Sequence, residues 1–80
     1  MKLILSGLGP GTDLEKLRER MSHFGPVGEI KAIREGDPER PWFIVHIDIS
    51  PAAGAAVARR IDGLHFQGRF LHAHTLLPID

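Results

Sequence analysis

The sequence contains no cysteine. That excludes a disulfide scaffold and any thiolate metal site, and it makes the reduced cytoplasm the expected compartment. It contains no asparagine either. No apolar run approaches the ~20 residues needed to cross a bilayer. Leu3-Ile4-Leu5 near the start is too short for a signal-peptide core. Net charge is also missing: ten Lys and Arg balance ten Asp and Glu, with five His counted neutral. This argues against a strongly electrostatic nucleic-acid binder, whose whole-domain pI is usually high. What remains is 80 residues, 42% hydrophobic and 25% charged, an ordinary globular composition. A chain of that length buries roughly 60–65% of its unfolded surface, which suits one two-layer core and one domain, residues 1–80.

Residues 2–8 form a short apolar run closed by Gly7 and Gly9-Pro10-Gly11, which predicts a buried strand. Thr12-Asp13-Leu14-Glu15 has capping-box spacing, so Thr12 is expected to cap a helix. Leu14, Leu17, Met21 and Phe24 lie on one face of a 3.6-residue period, and Gly25-Pro26 ends it. Val27 to Arg34 reads as a second strand, followed by Gly36-Asp37-Pro38 turn chemistry. Trp42 to Ile49 is the strongest strand signal. Ser50-Pro51 is an N-cap followed by proline at the first helical position. The helix it opens carries a stripe of Gly54, Val57, Ala58 and Ile61 and runs to about Asp62-Gly63. Its small residues predict close packing on a sheet, with room for Phe43. Arg69 to Leu77 is a last strand. The order β-α-β-β-α-β builds a four-stranded antiparallel sheet with both helices on one face, a ferredoxin-like α+β sandwich. The other sheet face is left open.

Many families share that order, so function has to come from particular residues. Leu3-Ile4-Leu5-Ser6-Gly7-Leu8 resembles the short first-strand motif of the RNA recognition motif (RRM) family. Arg40-Pro41-Trp42-Phe43-Ile44-Val45-His46-Ile47 is similar to its eight-residue third-strand motif. Leu17-x3-Met21-x2-Phe24-Gly25-x-Val27 and Asp62-Gly63-x4-Gly68-Arg69-x-Leu71-x-Ala73 resemble its two helix exits and last strand. The resemblance spans nearly the whole chain and implies binding of single-stranded RNA across the open face. It also marks departures. The three sheet positions that commonly carry base-stacking aromatics are Ile4, Trp42 and Ile44 here, and only Trp42 is aromatic. Pro41 stands in place of the usual glycine, and Phe43 in place of a small residue.

Strand alternation predicts the open face. It would present Lys2, Ile4 and Ser6, then Lys31 and Ile33 if a bulge intervenes, then Arg40, Trp42, Ile44 and His46, then His72, His74 and Leu76. No carboxylate is on that list. The acids gather at Asp13, Glu15 and Glu19 and at Glu35, Asp37 and Glu39. Trp42 would stack a base, and Ile4 and Ile44 would give apolar base contact. Lys2, Lys31 and Arg40 would meet phosphates or base edges. His46, His72 and His74 would be auxiliary, hydrogen bonding or stacking with bases. His72-x-His74 has a chelating spacing but wants a third ligand, so no metal and no cofactor is assigned. Arg59 and Arg60 read as solvated charges on the second helix. Gly7-x-Gly9-x-Gly11 matches neither dinucleotide nor Walker spacing and reads as a strand-to-helix turn.

The same face fits a second occupant. An Ile-rich centre and zero net charge suit an apolar protein partner as well as single-stranded RNA, and single-stranded DNA is a further alternative. A monomer or weak dimer is expected, with no membrane association. A metallochaperone of this fold would need Cys-x-x-Cys. An acylphosphatase-like enzyme would need an anion cradle with companion Arg and Asn. No nucleophile–base–acid set stands out, so the chain is expected not to be an enzyme.

Overall fold

The computed structural model describes residues 1–76. The first strand, β1, is Lys2–Ser6. Helix α1 spans Leu14–Met21, and β2 spans Val27–Ile33. Then follow β3 (Trp42–Ile47) and α2 (Pro51–Ile61). A short hairpin, β4 (His65–Phe66) and β5 (Arg69–Phe70), precedes the last strand, β6 (His72–Leu76). The main sheet has the order β2-β3-β1-β6, with all three neighbouring pairs antiparallel. This is the ferredoxin-like α+β arrangement that the element order predicts. Residues 77–80, including the end of the expected last strand and the tail beyond it, lie outside the described residues.

The core follows from alternation. Leu3 and Leu5, Phe43, Val45 and Ile47, and Leu71 and Ala73 are buried on one sheet face. They pack with Leu17 and Met21 of α1 and with Val57, Ala58 and Ile61 of α2. Phe43 is fully buried, so it points to the helix layer as expected. The expected use of the small residues of α2 is corrected at Gly54, which is occupied by Met1. A Cβ on Gly54 would stand 2.6 Å from the Met1 Cε. Leu14 opens α1 but stays exposed, so the apolar stripe of this helix is shorter than its periodicity predicts.

The expected bulge in β2 is present. Pairing with β3 shifts register between Val27 and Ile30. The Arg18 side chain donates to the carbonyls of Gly28 (2.7 Å) and Val27 (3.3 Å), which the irregular ladder leaves available. Arg18 therefore ties α1 to the bulge that sets which residues of β2 face outward.

The α1 cap differs from the expectation. Thr12 turns back, and both its backbone N–H and its hydroxyl donate to the Gly9 carbonyl, at 3.3 and 2.7 Å. Asp13 is the N-cap instead, accepting from the N–H groups of Glu15 and Lys16 at 3.0 and 3.3 Å. Asp13→Ala should cost about 1 kcal/mol of stability and Asp13→Ser only a fraction of that, read from denaturant midpoints. Equal midpoints for Asp13→Ala and wild type would show that the cap contributes nothing. The α2 cap is as expected, with Ser50 accepting from Ala53 N–H at 3.1 Å and Pro51 at the first helical position.

The last strand is also divided. Gln67 and Gly68 both have positive φ, 49° and 79°, the geometry of a two-residue hairpin turn. The chain therefore doubles back between Phe66 and Arg69 before β6 begins.

Candidate nucleic-acid interface

Register places the outward side chains in rows across the sheet. The central row is Lys31, Ile44, Ile4 and His74, running from β2 to β6. Toward one end, His46 lies opposite Lys2, and Lys2 opposite Leu76. Toward the other, Ile33 pairs with Trp42, and Ser6 pairs with His72. Eight of the nine residues assigned to the face from the sequence are thus on strands of one sheet, in the predicted phase. Trp42 is 53% exposed, a large flat apolar surface held on a rigid strand. Ile4 and Ile44, directly opposite each other, are half-buried and form a low apolar floor beside it.

Arg40 is the exception. It lies in the turn before β3, with its guanidinium 3.9 Å from the Asp37 carboxylate and both groups exposed. The strand starts only at Trp42 because Pro41, which is buried, has no N–H to give to the ladder. None of the residues expected on the face is a carboxylate, but one stands at its edge. His72 Nδ1 is 3.4 Å from Asp62, a residue that follows α2 and whose carboxylate also accepts from the Ala73 N–H. Lys2 and Lys31 are then the cations on the face that lie on strands. On α2, Arg60 is not merely solvated, because its guanidinium lies 5.6 Å from the centre of the Phe24 ring.

Among the described residues no group of three or more His, Cys, Asp or Glu comes together as a metal site would require. Nor is any helix there long and apolar enough to cross a membrane.

Sequence reasoning missed Phe70, which is 64% exposed. It sits on the β4–β5 hairpin, with the ring of His65 5.2 Å away edge-on. Its signal was available: Phe70 is two residues before His72, in the same alternating phase, with buried Leu71 between them. Gly7 seats this hairpin. Its φ is +88°, and a Cβ there would run into the Phe70 carbonyl oxygen, so only glycine fits. Gly9 lies under the Arg69 guanidinium, whose Nε would be 2.9 Å from an added Cβ. The glycine-rich segment is therefore a packing turn, as its spacing suggests.

The open face, the sheet order and the two helices behind it define a ferredoxin-like fold, and solved RRM domains share it. The RRM of Rna15, solved with bound GU RNA, superposes with a TM-score of 0.74 at 18% identity, over 99% of this chain and 85% of that one. The third RRM of Pes4 superposes with a TM-score of 0.79 at 15% identity, over 99% and 94%. In sequence, the chain is 36% identical over 75 residues to the mitochondrial glycine-rich RNA-binding protein 2 of Arabidopsis thaliana. That match covers 91% of this chain and 47% of the relative, so the chain spans about half the relative's length. The relative's mitochondrial name lends no support to a cytoplasmic location. No family model matches the chain. The RRM fold that the four sequence motifs imply is thereby shown.

Proposed function

We propose that this domain binds single-stranded RNA across the open face of its sheet, without catalysis. The observation that carries the reading is Trp42, half-exposed on the sheet and flanked by the row Lys31-Ile44-Ile4-His74. Likeness to a protein named as RNA-binding and to an RRM solved with RNA supports it. Trp42 stacks a base, and Ile4 and Ile44 press against a neighbouring one. Lys2 and Lys31 meet phosphates or base edges, and Arg40 reaches them from the turn beside β3. His46, His72 and His74 add hydrogen bonds. Few cations face the ligand, so affinity is weak and its dependence on salt shallow.

Titration of a mixed-sequence RNA of six to eight nucleotides, followed by Trp42 fluorescence, tests this. Saturable quenching is expected, and no change at high micromolar RNA would refute it.

A second reading is favoured by one observation: the centre of the face is aliphatic, Ile4 against Ile44, where bases would gain most from aromatics. On that reading the face docks an apolar protein surface. Trp42→Ala would then abolish self-association or partner capture and leave RNA binding unchanged.

A further inference from the structure

The two most exposed large apolar side chains of the described residues are Phe70, at 64%, and Trp42, at 53%. Both lie toward the same end of the sheet. Trp42 begins β3, and Ser6 ends β1 opposite His72, which begins β6. Phe70 precedes His72 by two residues, and its carbonyl packs against Gly7, the residue after β1. A line from Trp42 across Ser6 and His72 therefore leads to Phe70.

The exposure of Phe70 does not come from a loose segment. Its hairpin is fixed on the opposite side by Phe66, which is buried beneath the Arg20 guanidinium at 5.7 Å. Its backbone is tied at both ends: Leu71 N–H donates to Leu64 and Gly63 N–H donates to Leu71, each at 2.7 Å. One ring is thus used to hold the hairpin, and the other is held out in water on the opposite side. His65 braces it edge-on and leaves a ring face free.

On the β2–β3 side of Trp42 the connecting turn carries Glu35, Asp37 and Glu39, answered by Arg34 and Arg40. On the Phe70 side stand His65 and His72, with Asp62 held by His72 and the Ala73 N–H. Arg69 is turned to the other face of the hairpin, beside Phe66 and over Gly9. Net charge is then similar on the two sides, and the direction a strand takes from Trp42 is set by the exposed ring of Phe70.

We propose that Phe70 is a second base-stacking platform, so that a single-stranded RNA lying on Trp42 continues over Ser6 and His72 onto the β4–β5 hairpin. This rests on the RNA-binding reading above. It relocates the stacking capacity that Ile4 and Ile44 lack to the end of the sheet, where two separated aromatics would hold two bases of one strand.

The test is anisotropy of fluorescein-labelled, random-sequence RNA octamers with wild type, Phe70→Ala, Phe70→Leu and Phe70→Trp. Loss of one stacked base predicts about 5- to 150-fold weaker binding for Phe70→Ala. Phe70→Leu keeps apolar area but has no ring, and should lose affinity comparably. Phe70→Trp should bind at least as well as wild type, which also shows that the hairpin tolerates substitution. Wild-type affinity in Phe70→Ala would overturn the proposal and leave RNA binding on the sheet intact. Wild-type affinity in Phe70→Leu would likewise overturn stacking, making Phe70 an apolar contact only. No binding by wild type would overturn the RNA reading itself, and this inference with it.

Discussion

Trp42→Ala is expected to weaken RNA binding by about 5- to 150-fold, the effect of losing one stacked base. The unfolding midpoint should fall far less than for truncation of a core ring. Trp42 is 53% exposed and is absent from the buried core, so truncation gives up only the half of its surface that folding has taken from water. Trp42→Phe should recover much of the affinity, because a smaller ring still offers a π-face. Trp42→Leu should not. If Trp42→Ala binds RNA as wild type does, the stacking role is wrong, and the protein-docking reading of the face gains.

The neighbouring substitution has the opposite signature. Phe43→Ala removes a fully buried ring from between the sheet and the helices. Truncations of this kind cost about 3–5 kcal/mol, from lost burial plus the cavity left behind. A domain of 80 residues has a total stability of only about 4–12 kcal/mol, so the variant should lose a quarter of it or more. Its thermal midpoint should fall by at least about 12 °C. RNA binding should fall only in proportion to the fraction unfolded, and return toward wild type at low temperature where the domain refolds. A stable Phe43→Ala with intact fold would contradict the placement of this ring at the centre of the core. Residues 42 and 43 together would thus separate the two faces of β3: one substitution is expected to act mainly on affinity, the next mainly on stability.

That division was legible in the sequence because a strand has a period of two. Once Trp42-Phe43-Ile44-Val45-His46-Ile47 is read as a strand between two layers, each side chain's face follows. Ser50-Pro51 fixed the start of α2 for an equally local reason, since a side-chain cap and a proline act within one turn. The central rows of the interface were legible too, with Ile4, Trp42 and Ile44 aligned by their resemblance to RRM motifs.

What was not legible depends on contacts between distant residues or on elements too short to carry a period. The β4–β5 hairpin has two residues in each strand, so no alternation announces it, although Phe70 itself is in phase with His72 within the single strand expected there. Asp62 approaches His72 from the end of α2, a meeting that no reading of β6 alone contains. Gly54 admits Met1, 53 residues away in the chain, although Phe43 was the large side chain expected there. Thr12 and Asp13 are both good N-caps. The choice between them was made by the Gly9 carbonyl, which takes both donors of Thr12 and leaves the helix start to its neighbour.

The zero net charge acquires a more definite meaning on this fold. Asp13, Glu15 and Glu19 are matched by Lys16, Arg18 and Arg20 at the same helix, and the acids of the β2–β3 turn largely by Arg34 and Arg40, while the strand positions of the open face carry Lys2, Lys31 and imidazoles, with Glu29 exposed in the β2 bulge. Asp37 beside Arg40 and Asp62 beside His72 temper that positive character at two corners. On the proposed reading, recognition would rest more on stacking and apolar contact than on phosphate attraction, which is why the aromatics at the sheet end carry the largest expected effects.

The central claim is that RNA lies on the open sheet face, and amide chemical-shift mapping during titration with a pool of short RNAs tests it most directly. The account predicts that shifts concentrate on β1 and β3, around Ile4, Trp42 and Ile44, and extend to Phe70 and His72. The outward faces of α1 and α2 should stay still. Shifts confined to the helices, or none at saturating RNA, would contradict it.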